Sequence, residues 1–267
     1  MQVSYGKTEQ RKKPKKKKRN KANKILALLL VLALFGTIFT VLAKTVLFPV
    51  KKINVTTNTN YTKEQIAEAS GILINESKMY GFSSKKTEHR IILKLPYIKS
   101  VSFARSLNGV LNIKAEKDTA LFCLKTTDNA GKYVYLNKEY KVLEKSDSLN
   151  KNIILIKGIN ADKFTIGENA KIEKNEKFDL FKNIYEDLNN SFKDKKIAVN
   201  AIDVTDNTSI KFIIKGGITV NIGSYTNIEH KINHLMGMLD KLQDRTRGVI
   251  DLSAWSSSSP KGYFKEN

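Results

Sequence analysis

Residues 25–55 read ILALLLVLALFGTIFTVLAKTVLFPVKKINV and divide the chain into two chemically different parts. The first nineteen of these residues carry no charge. A helix of that length, at about 1.5 Å per residue, spans roughly 28 Å, which is close to the hydrocarbon thickness of a bilayer. After Phe48-Pro49 the pattern changes to alternating apolar and polar residues, which predicts a β-strand at residues 50–55. The sequence therefore predicts one transmembrane helix, at residues 25–47, followed by a folded region.

The N-terminal tail, residues 1–24, is strongly basic. It holds eleven basic residues and one acid, Glu9, so it carries +10 of the net charge of +21. Basic segments beside a membrane helix stay in the cytoplasm, which predicts a cytoplasmic tail and residues 48–267 outside. A cleaved signal peptide is the competing interpretation, since Val41-Leu42-Ala43 offers small residues for cleavage, but its apolar core would normally be only about 7 to 15 residues long. Nucleic-acid binding by the tail is disfavoured, because a basic run in this position has a role in topology.

Composition excludes several classes of protein. A single cysteine, Cys123, excludes a disulfide-rich scaffold, and the scarcity of Gly and Pro excludes collagen and low-complexity disorder. The mean hydropathy of -0.35 leaves room for one apolar segment and excludes a polytopic membrane protein.

The region after the membrane helix has the pattern of a small α+β module. Thr62-Lys63-Glu64-Gln65 fits a capping box at the start of a helix that ends at Gly71. A second helix is predicted at residues 84–93, and Asn108-Gly109 predicts the turn of a hairpin between two further strands. The order is β-α-α-β-β over residues 48–117, with two helices covering one face of a three-stranded sheet.

Three stretches of this module can be compared with known domains. They are Phe48-Pro49-Val50-Lys51-Lys52-Ile53-Asn54-Val55, Ala69-Ser70-Gly71-Ile72 and Leu95-Pro96-Tyr97-Ile98-Lys99-Ser100-Val101. Together they resemble a POTRA domain of the bacterial cell-division family FtsQ, called DivIB in Gram-positive bacteria. Glu116-Lys117-Asp118 stands where this family usually has Glu-Arg followed by a small residue or Pro.

Residues 118–254 are predicted to form a β-rich domain. Strands are expected at residues 120–124, 133–136, 153–156, 202–204, 210–214, 218–223 and 249–253. Two apolar stripes with helical spacing are Phe178, Phe181, Ile184, Tyr185, Leu188 and Ile228, Ile232, Leu235, Leu239, Leu242. Residues 255–267 are expected to be a flexible C-terminal tail.

A second block of resemblance lies in this domain. Gly223, a helix that carries Lys231, and then Gly248-Val249-Ile250-Asp251-Leu252-Ser253 are similar to the end of the family's β-domain. Residues 137–143 resemble the family's hairpin, with Tyr140 where Gly is common.

Candidate metal ligands are few. His230 and His234 lie four residues apart, as two zinc ligands on one helix face would, but Lys231 stands where a zinc protease needs its Glu general base. No Cys or cluster of carboxylates completes the ligand set, so we interpret both histidines as solvated helix positions.

A sortase-like cysteine transpeptidase is the main alternative function. Thr119-Ala120-Leu121-Phe122-Cys123 is similar to the nucleophile strand of that class, and His89, Arg245 and Arg247 are available as base and oxyanion-stabilising groups. However, no Thr directly precedes Cys123, and no Arg follows it before Arg245. We therefore favour a buried, unreactive thiol.

The resemblance implies a non-catalytic assembly protein that recruits and regulates septal peptidoglycan synthesis. The partners it implies are small bitopic proteins of the FtsL (or DivIC) and FtsB type, together with septal peptidoglycan synthases, with no cofactor and no nucleic acid. It implies a single-pass type II protein of the cell membrane, located at the division septum.

The expected partner-binding site is the last predicted strand. Carried over from the family by motif, it consists of Val249, Ile250, Asp251, Leu252 and Ser253, with Trp255 as an aromatic anchor. Because only a Ser-rich tail follows, we expect this strand to be a free sheet edge to which a partner adds a strand. The alternative, that Val249, Ile250 and Leu252 are ordinary core residues, stays open at this point.

Overall fold

The structure is a computed structural model that describes residues 2, 19–126, 132–159, 164–170, 172, 176–214, 216–242 and 247–266. Three features discussed above lie outside the described residues. They are the basic run at 11–18, residues 128–131 between the strands expected at 120–124 and 133–136, and Arg245.

The first helix, α1 (Arg19–Thr45), contains the predicted apolar segment. Among the described residues it is the one helix that is long and apolar enough to cross a membrane, over Asn23–Leu42. The hydroxyls of Thr37 and Thr40 donate to backbone carbonyls one turn earlier, at 2.7 Å each, so neither is left unsatisfied among apolar neighbours.

Residues 48–117 fold as the predicted β-α-α-β-β module. Its elements are β1 (Lys52–Thr57), α2 (Lys63–Ser70), α3 (Ser84–Lys94), β2 (Ile98–Arg105) and β3 (Val110–Lys117). The sheet order is β1-β3-β2, with β1 parallel and β2 antiparallel to β3. Both helices share one core with the sheet, in which Ile66, Ile91 and Leu111 are completely buried.

Local signals in the sequence set two boundaries of this module. The Thr62 hydroxyl accepts from Gln65 N at 3.2 Å, and the Gln65 side chain accepts from Thr62 N at 2.8 Å, which is the predicted capping box. Gly109 has φ 87° in the β2–β3 turn, where a residue with a Cβ would be strained.

The remaining described residues build a nine-stranded sheet with two helices. The strands are β4 (Phe122–Lys125), β5 (Tyr133–Leu136), β6 (Val142–Ser146), β7 (Ile154–Lys157), β8 (Val199–Asp203), β9 (Ile210–Ile214), β10 (Ile218–Gly223), β11 (Gly248–Asp251) and β12 (Tyr263–Glu266). Their order in the sheet is β12-β11-β10-β9-β8-β7-β4-β5-β6. The helices α4 (Glu176–Phe192) and α5 (Ile228–Leu242) bury the two predicted apolar stripes in the core of this sheet.

The C-terminal segment differs from the sequence-based expectation. Residues 263–266 form β12, which pairs antiparallel with β11, so β11 is not the outer edge and the segment is not an unstructured tail. The expectation overlooked Tyr263-Phe264, two good strand formers that follow a turn-forming Ser- and Pro-containing run. The serines form that turn, in which Ser256 and Ser259 exchange backbone hydrogen bonds of 3.3 and 3.1 Å.

The junction between the two sheets is tied by a buried ion pair. Lys141 Nζ lies 2.8 Å from Asp118 Oδ2 and donates to Ile98 O at 2.7 Å, which connects the β-domain to β2. Asn137 Nδ2 donates to the same Asp118 oxygen at 2.9 Å. Beside this pair Tyr140 has φ 63°, the left-handed conformation that favours the family's Gly, and its ring stacks on Phe122 at 5.3 Å.

Candidate partner-binding edge

The predicted site residues lie at one end of the nine-stranded sheet. We call this end, residues 247–266 including β11 and β12, the C-terminal edge. Leu252 N donates to Asn221 O at 2.7 Å, which extends the pairing of β10 with β11. Ser253 N donates to Asp251 Oδ1 at 2.8 Å and starts the turn away from the sheet. The structure therefore brings all six predicted residues into one region, with β12 beside them.

The two faces of β11 have different roles. Ile250 and Leu252 are completely buried in the core beneath the helices. Val249 and Asp251 are half-buried and point to the opposite face, where their cross-strand partners are Lys265 and Tyr263. Ile250 and Leu252 are thus core residues, as the alternative interpretation expected. Val249 and Asp251 instead belong to an open sheet face.

Trp255 is packed against the domain rather than loose. Its ring lies parallel to that of His230 on α5, with centroids 5.9 Å apart, and it contacts the main core. Its backbone N donates to Leu252 O at 3.1 Å. The indole Nε1 is buried and has no hydrogen-bond partner within the described ranges. His230 is therefore an exposed helix residue that packs against the Trp255 ring.

Two glycines allow β12 to pack closely against the rest of the domain. A Cβ on Gly248 would lie 2.5 Å from Phe264 Cε2, so the ring occupies the space left by the missing side chain. A Cβ on Gly262 would meet Leu252 Cδ2 at 2.5 Å and Met238 Sδ at 2.6 Å, which places this residue closely between β11 and α5. Sequence reasoning missed both contacts, although the strand-like run that begins at Tyr263 was the available signal.

Three residues of β12 are exposed, Tyr263, Lys265 and Glu266, and the first and second lie on the open face. The Tyr263 side chain is 60% exposed although it is aromatic. Tyr263 and Lys265 lie on the open face with Val249 and Asp251, so this face combines an aromatic and an apolar side chain with a lysine and an aspartate. Such a surface suits protein–protein contact, since aromatic side chains contribute much of the energy at interfaces.

The helix α5 carries both candidate metal-ligating histidines and Lys231 between them. Lys231 is buried, and its Nζ donates to Ile222 O at 2.7 Å and Ser224 O at 2.9 Å. Burial lowers the pKa of this amine. Lys231 therefore holds α5 against the end of β10, and no group of three candidate ligands occurs in the described part of the chain.

The candidate sortase residues are not brought together. Cys123 is completely buried in β4, and burial raises the pKa of its thiol to about 12, so thiolate is scarce at neutral pH. His89 lies on α3 of the other module. Arg247 directly precedes β11, which is five strands from β4, about 24 Å at the usual strand spacing. This geometry does not support a cysteine nucleophile.

Replacing Cys123 with alanine or serine is expected to leave the biological function of the protein intact. The thiol contributes packing and one long hydrogen bond to Leu124 O at 3.9 Å, so we expect a stability loss of about 1 to 3 kcal/mol. Complementation of a depletion strain and a melting curve of the purified chain measure the two quantities. Lost function in a folded, membrane-localised Cys123→Ala protein would instead support the cysteine transpeptidase.

Two family models match this chain. One, described as POTRA domain, FtsQ-type, matches residues 48–116, and the other, described as Cell division protein FtsQ/DivIB, C-terminal, matches residues 126–253. The chain belongs to the FtsQ/DivIB family. No curated protein is a significant match.

Membership in FtsQ/DivIB gives the protein a role in cell division, as an interacting component of the divisome. It confirms the resemblance drawn from the sequence, including the POTRA domain. The second match ends at residue 253. It therefore contains Val249 to Ser253 but neither Trp255 nor β12.

Proposed function

We propose that this FtsQ/DivIB protein is a non-catalytic assembly factor that recruits and regulates the septal peptidoglycan synthesis machinery. Its direct partners are small bitopic proteins of the FtsL (or DivIC) and FtsB type, and through them the septal synthases. The observation that carries the proposal is the C-terminal edge, where the outermost strand β12 exposes Tyr263 beside the family's strand β11.

Some residues of the C-terminal edge contact the partner, and others hold the strand in position. Val249, Asp251 and Ser253 contact the partner from the open face together with Tyr263 and Lys265, which are exposed there. Ile250 and Leu252 hold the strand in place from the core. Trp255 closes the end of this surface through its stacking on His230.

The proposed mechanism is binding without chemistry. Its support is the burial of Cys123 and its separation from His89 and Arg247. A partner that packs on the C-terminal edge is held near the membrane by the anchor of each protein, so modest contacts suffice because tethering raises the effective concentration.

The proposed location is the cell membrane at the septum, as a type II protein. The apolar helix α1 supports the anchor, and the basic tail supports a cytoplasmic N-terminus. The nine-stranded sheet then lies outside the cytoplasm, on the side where the peptidoglycan is made.

Site-specific photo-crosslinking in dividing cells tests this function. A photoreactive amino acid at Tyr263 is expected to capture a small bitopic protein of the FtsL or FtsB type. A matched probe at Leu149, which is also partly exposed but lies near the other end of the sheet, is the control. Equal capture at both positions, or no capture at Tyr263, would contradict a partner at the C-terminal edge.

A further inference from the structure

The POTRA module is attached to the membrane helix by a very short connection. α1 ends at Thr45, and Phe48 already belongs to the module because its carbonyl accepts from Met79 N at 2.8 Å. Three residues of extended chain reach at most about 11 Å. The headgroup layer on each side of a bilayer is about 5 to 8 Å thick. Whatever surrounds Phe48 is therefore held at or beside the lipid headgroups.

Two loops surround this connection. Residues 71–80 are bound to it because Val50 N donates to Ser77 O at 2.9 Å, in addition to the contact at Phe48. Residues 106–109 are bound to it because Lys51 N donates to Gly109 O at 2.8 Å. We call these two loops the membrane-side rim.

The membrane-side rim exposes large apolar side chains. Leu107, at the tip of the hairpin, is 78% exposed, and Leu73 and Ile74 are 55% and 51% exposed. Tyr80 is 38% exposed, and its ring packs edge-on against Phe48 at 5.7 Å. Single exposed apolar residues are ordinary, but a group confined to the loops around a membrane exit calls for a partner of apolar character.

Charges around the rim complement a lipid headgroup layer. Within the rim and the connection, Lys51 and Lys52 are exposed and Lys78 is half-buried, against the exposed acid Glu76. The exposed acids Glu64 and Glu68 of α2 line a groove together with Leu73 and Ile74. Lysine extends its amine toward headgroups while its stem covers apolar surface, and tyrosine is enriched at membrane interfaces. Apolar tips surrounded by lysines and a tyrosine are the side-chain set expected of a lipid-facing surface.

We propose that the membrane-side rim docks on the outer leaflet and inserts Leu73, Ile74, Tyr80 and Leu107 among the lipid headgroups. The rim is then a second membrane contact beyond α1, and it limits the swing of the POTRA module about its short connection. This inference requires α1 to span the membrane, but it does not depend on which partner binds the C-terminal edge.

Fluorescence quenching by spin-labelled lipid tests the proposal on the full chain in lipid nanodiscs. In a Cys123→Ala background, Leu73→Cys and Leu107→Cys carry an environment-sensitive dye, and Leu149→Cys is the matched control far from the rim. Because the labelled side chains are exposed, labelling should not unfold the protein. Headgroup spin labels are expected to quench both rim positions several-fold more than Leu149→Cys. Equal quenching at all three positions would overturn the proposal.

Two further arms identify what holds the rim. Leu107→Asp is expected to reduce quenching at Leu73→Cys, whereas Leu149→Asp leaves it unchanged. No effect of Leu107→Asp would overturn apolar insertion.

Quenching is expected in neutral and anionic nanodiscs alike. Quenching that requires anionic lipid would overturn insertion in favour of a charge contact alone. Rim labels that no lipid quenches, yet that a soluble quencher cannot reach in cells, would assign the rim to a protein partner.

Discussion

Replacing Gly248 with valine is expected to weaken partner binding at the C-terminal edge by at least about tenfold, which corresponds to ~1.4 kcal/mol. The new side chain would collide with the Phe264 ring, whose Cε2 and Cζ lie 2.5 and 2.6 Å from a Cβ at this position. The ring cannot stay in place, so β12 leaves β11 and takes Tyr263 and Lys265 with it. Titration of the captured partner's extracytoplasmic segment against the full chain in nanodiscs measures the loss.

Gly237→Ala is the matched control for this variant. Gly237 lies on α5, and a Cβ there meets nothing within 4 Å, so the change should stabilise the helix by about 0.5 to 1 kcal/mol and leave binding unchanged. Hydrogen exchange of the β12 amides verifies that Gly248→Val detaches the strand. Normal binding with β12 detached would place the partner elsewhere on the protein. Binding that falls only in step with melting would make the C-terminal edge structural.

Replacing Asp118 with alanine is expected to lower the free energy of unfolding by about 3 to 5 kcal/mol. The Asp118 and Lys141 side chains are only 5% and 10% exposed, so the substitution leaves a buried ammonium whose remaining partner is the Ile98 carbonyl. It also removes the acceptors of Asn137 Nδ2 and Thr119 N, at 2.9 Å each. Urea unfolding of the full chain in nanodiscs, followed by near-UV circular dichroism, measures the effect.

Two controls separate the buried charge from general damage. Asp118→Leu combined with Lys141→Met removes both charges and should recover most of the lost stability. Lys114→Ala breaks the Lys114–Glu116 pair, whose side chains are 63% and 52% exposed, and should leave the stability nearly unchanged because solvent screens the pair. A loss that the double variant fails to recover would show that packing at this junction, rather than charge, sets the stability.

The POTRA module shows how far local pattern carries a prediction. Three of its features can be predicted from the sequence because each depends on residues only a few positions apart. They are the capping box at Thr62, the helix end at Gly71 and the turn at Asn108-Gly109. The apolar stripe of α5 was readable for the same reason. These signals gave the order of elements, but not the neighbours of each strand at a sheet edge.

The candidate site was predicted only in part. Motif resemblance selected residues 249–253, which the structure divides into core and open face, and Trp255, which it packs against His230. The position of Tyr263 and Lys265 beside these residues was missed, since β12 lies beyond the motif and pairs through a chain reversal. Pairing of this kind depends on backbone direction and available space, which residue type alone does not encode.

The sequence by itself determined the membrane helix, the β-α-α-β-β module and the two apolar helix stripes, because charge, periodicity and turn chemistry act within one segment. Only the tertiary structure decided that β12 covers β11, that Lys141 meets Asp118, and that two loops surround the membrane exit. The physical reason is that each of these depends on residues distant in the chain. The Phe264 ring can occupy the space beside Gly248 only after the chain has reversed and placed β12 next to β11. Likewise, Lys141 becomes a buried ion-pair partner of Asp118 only when the two sheets enclose it.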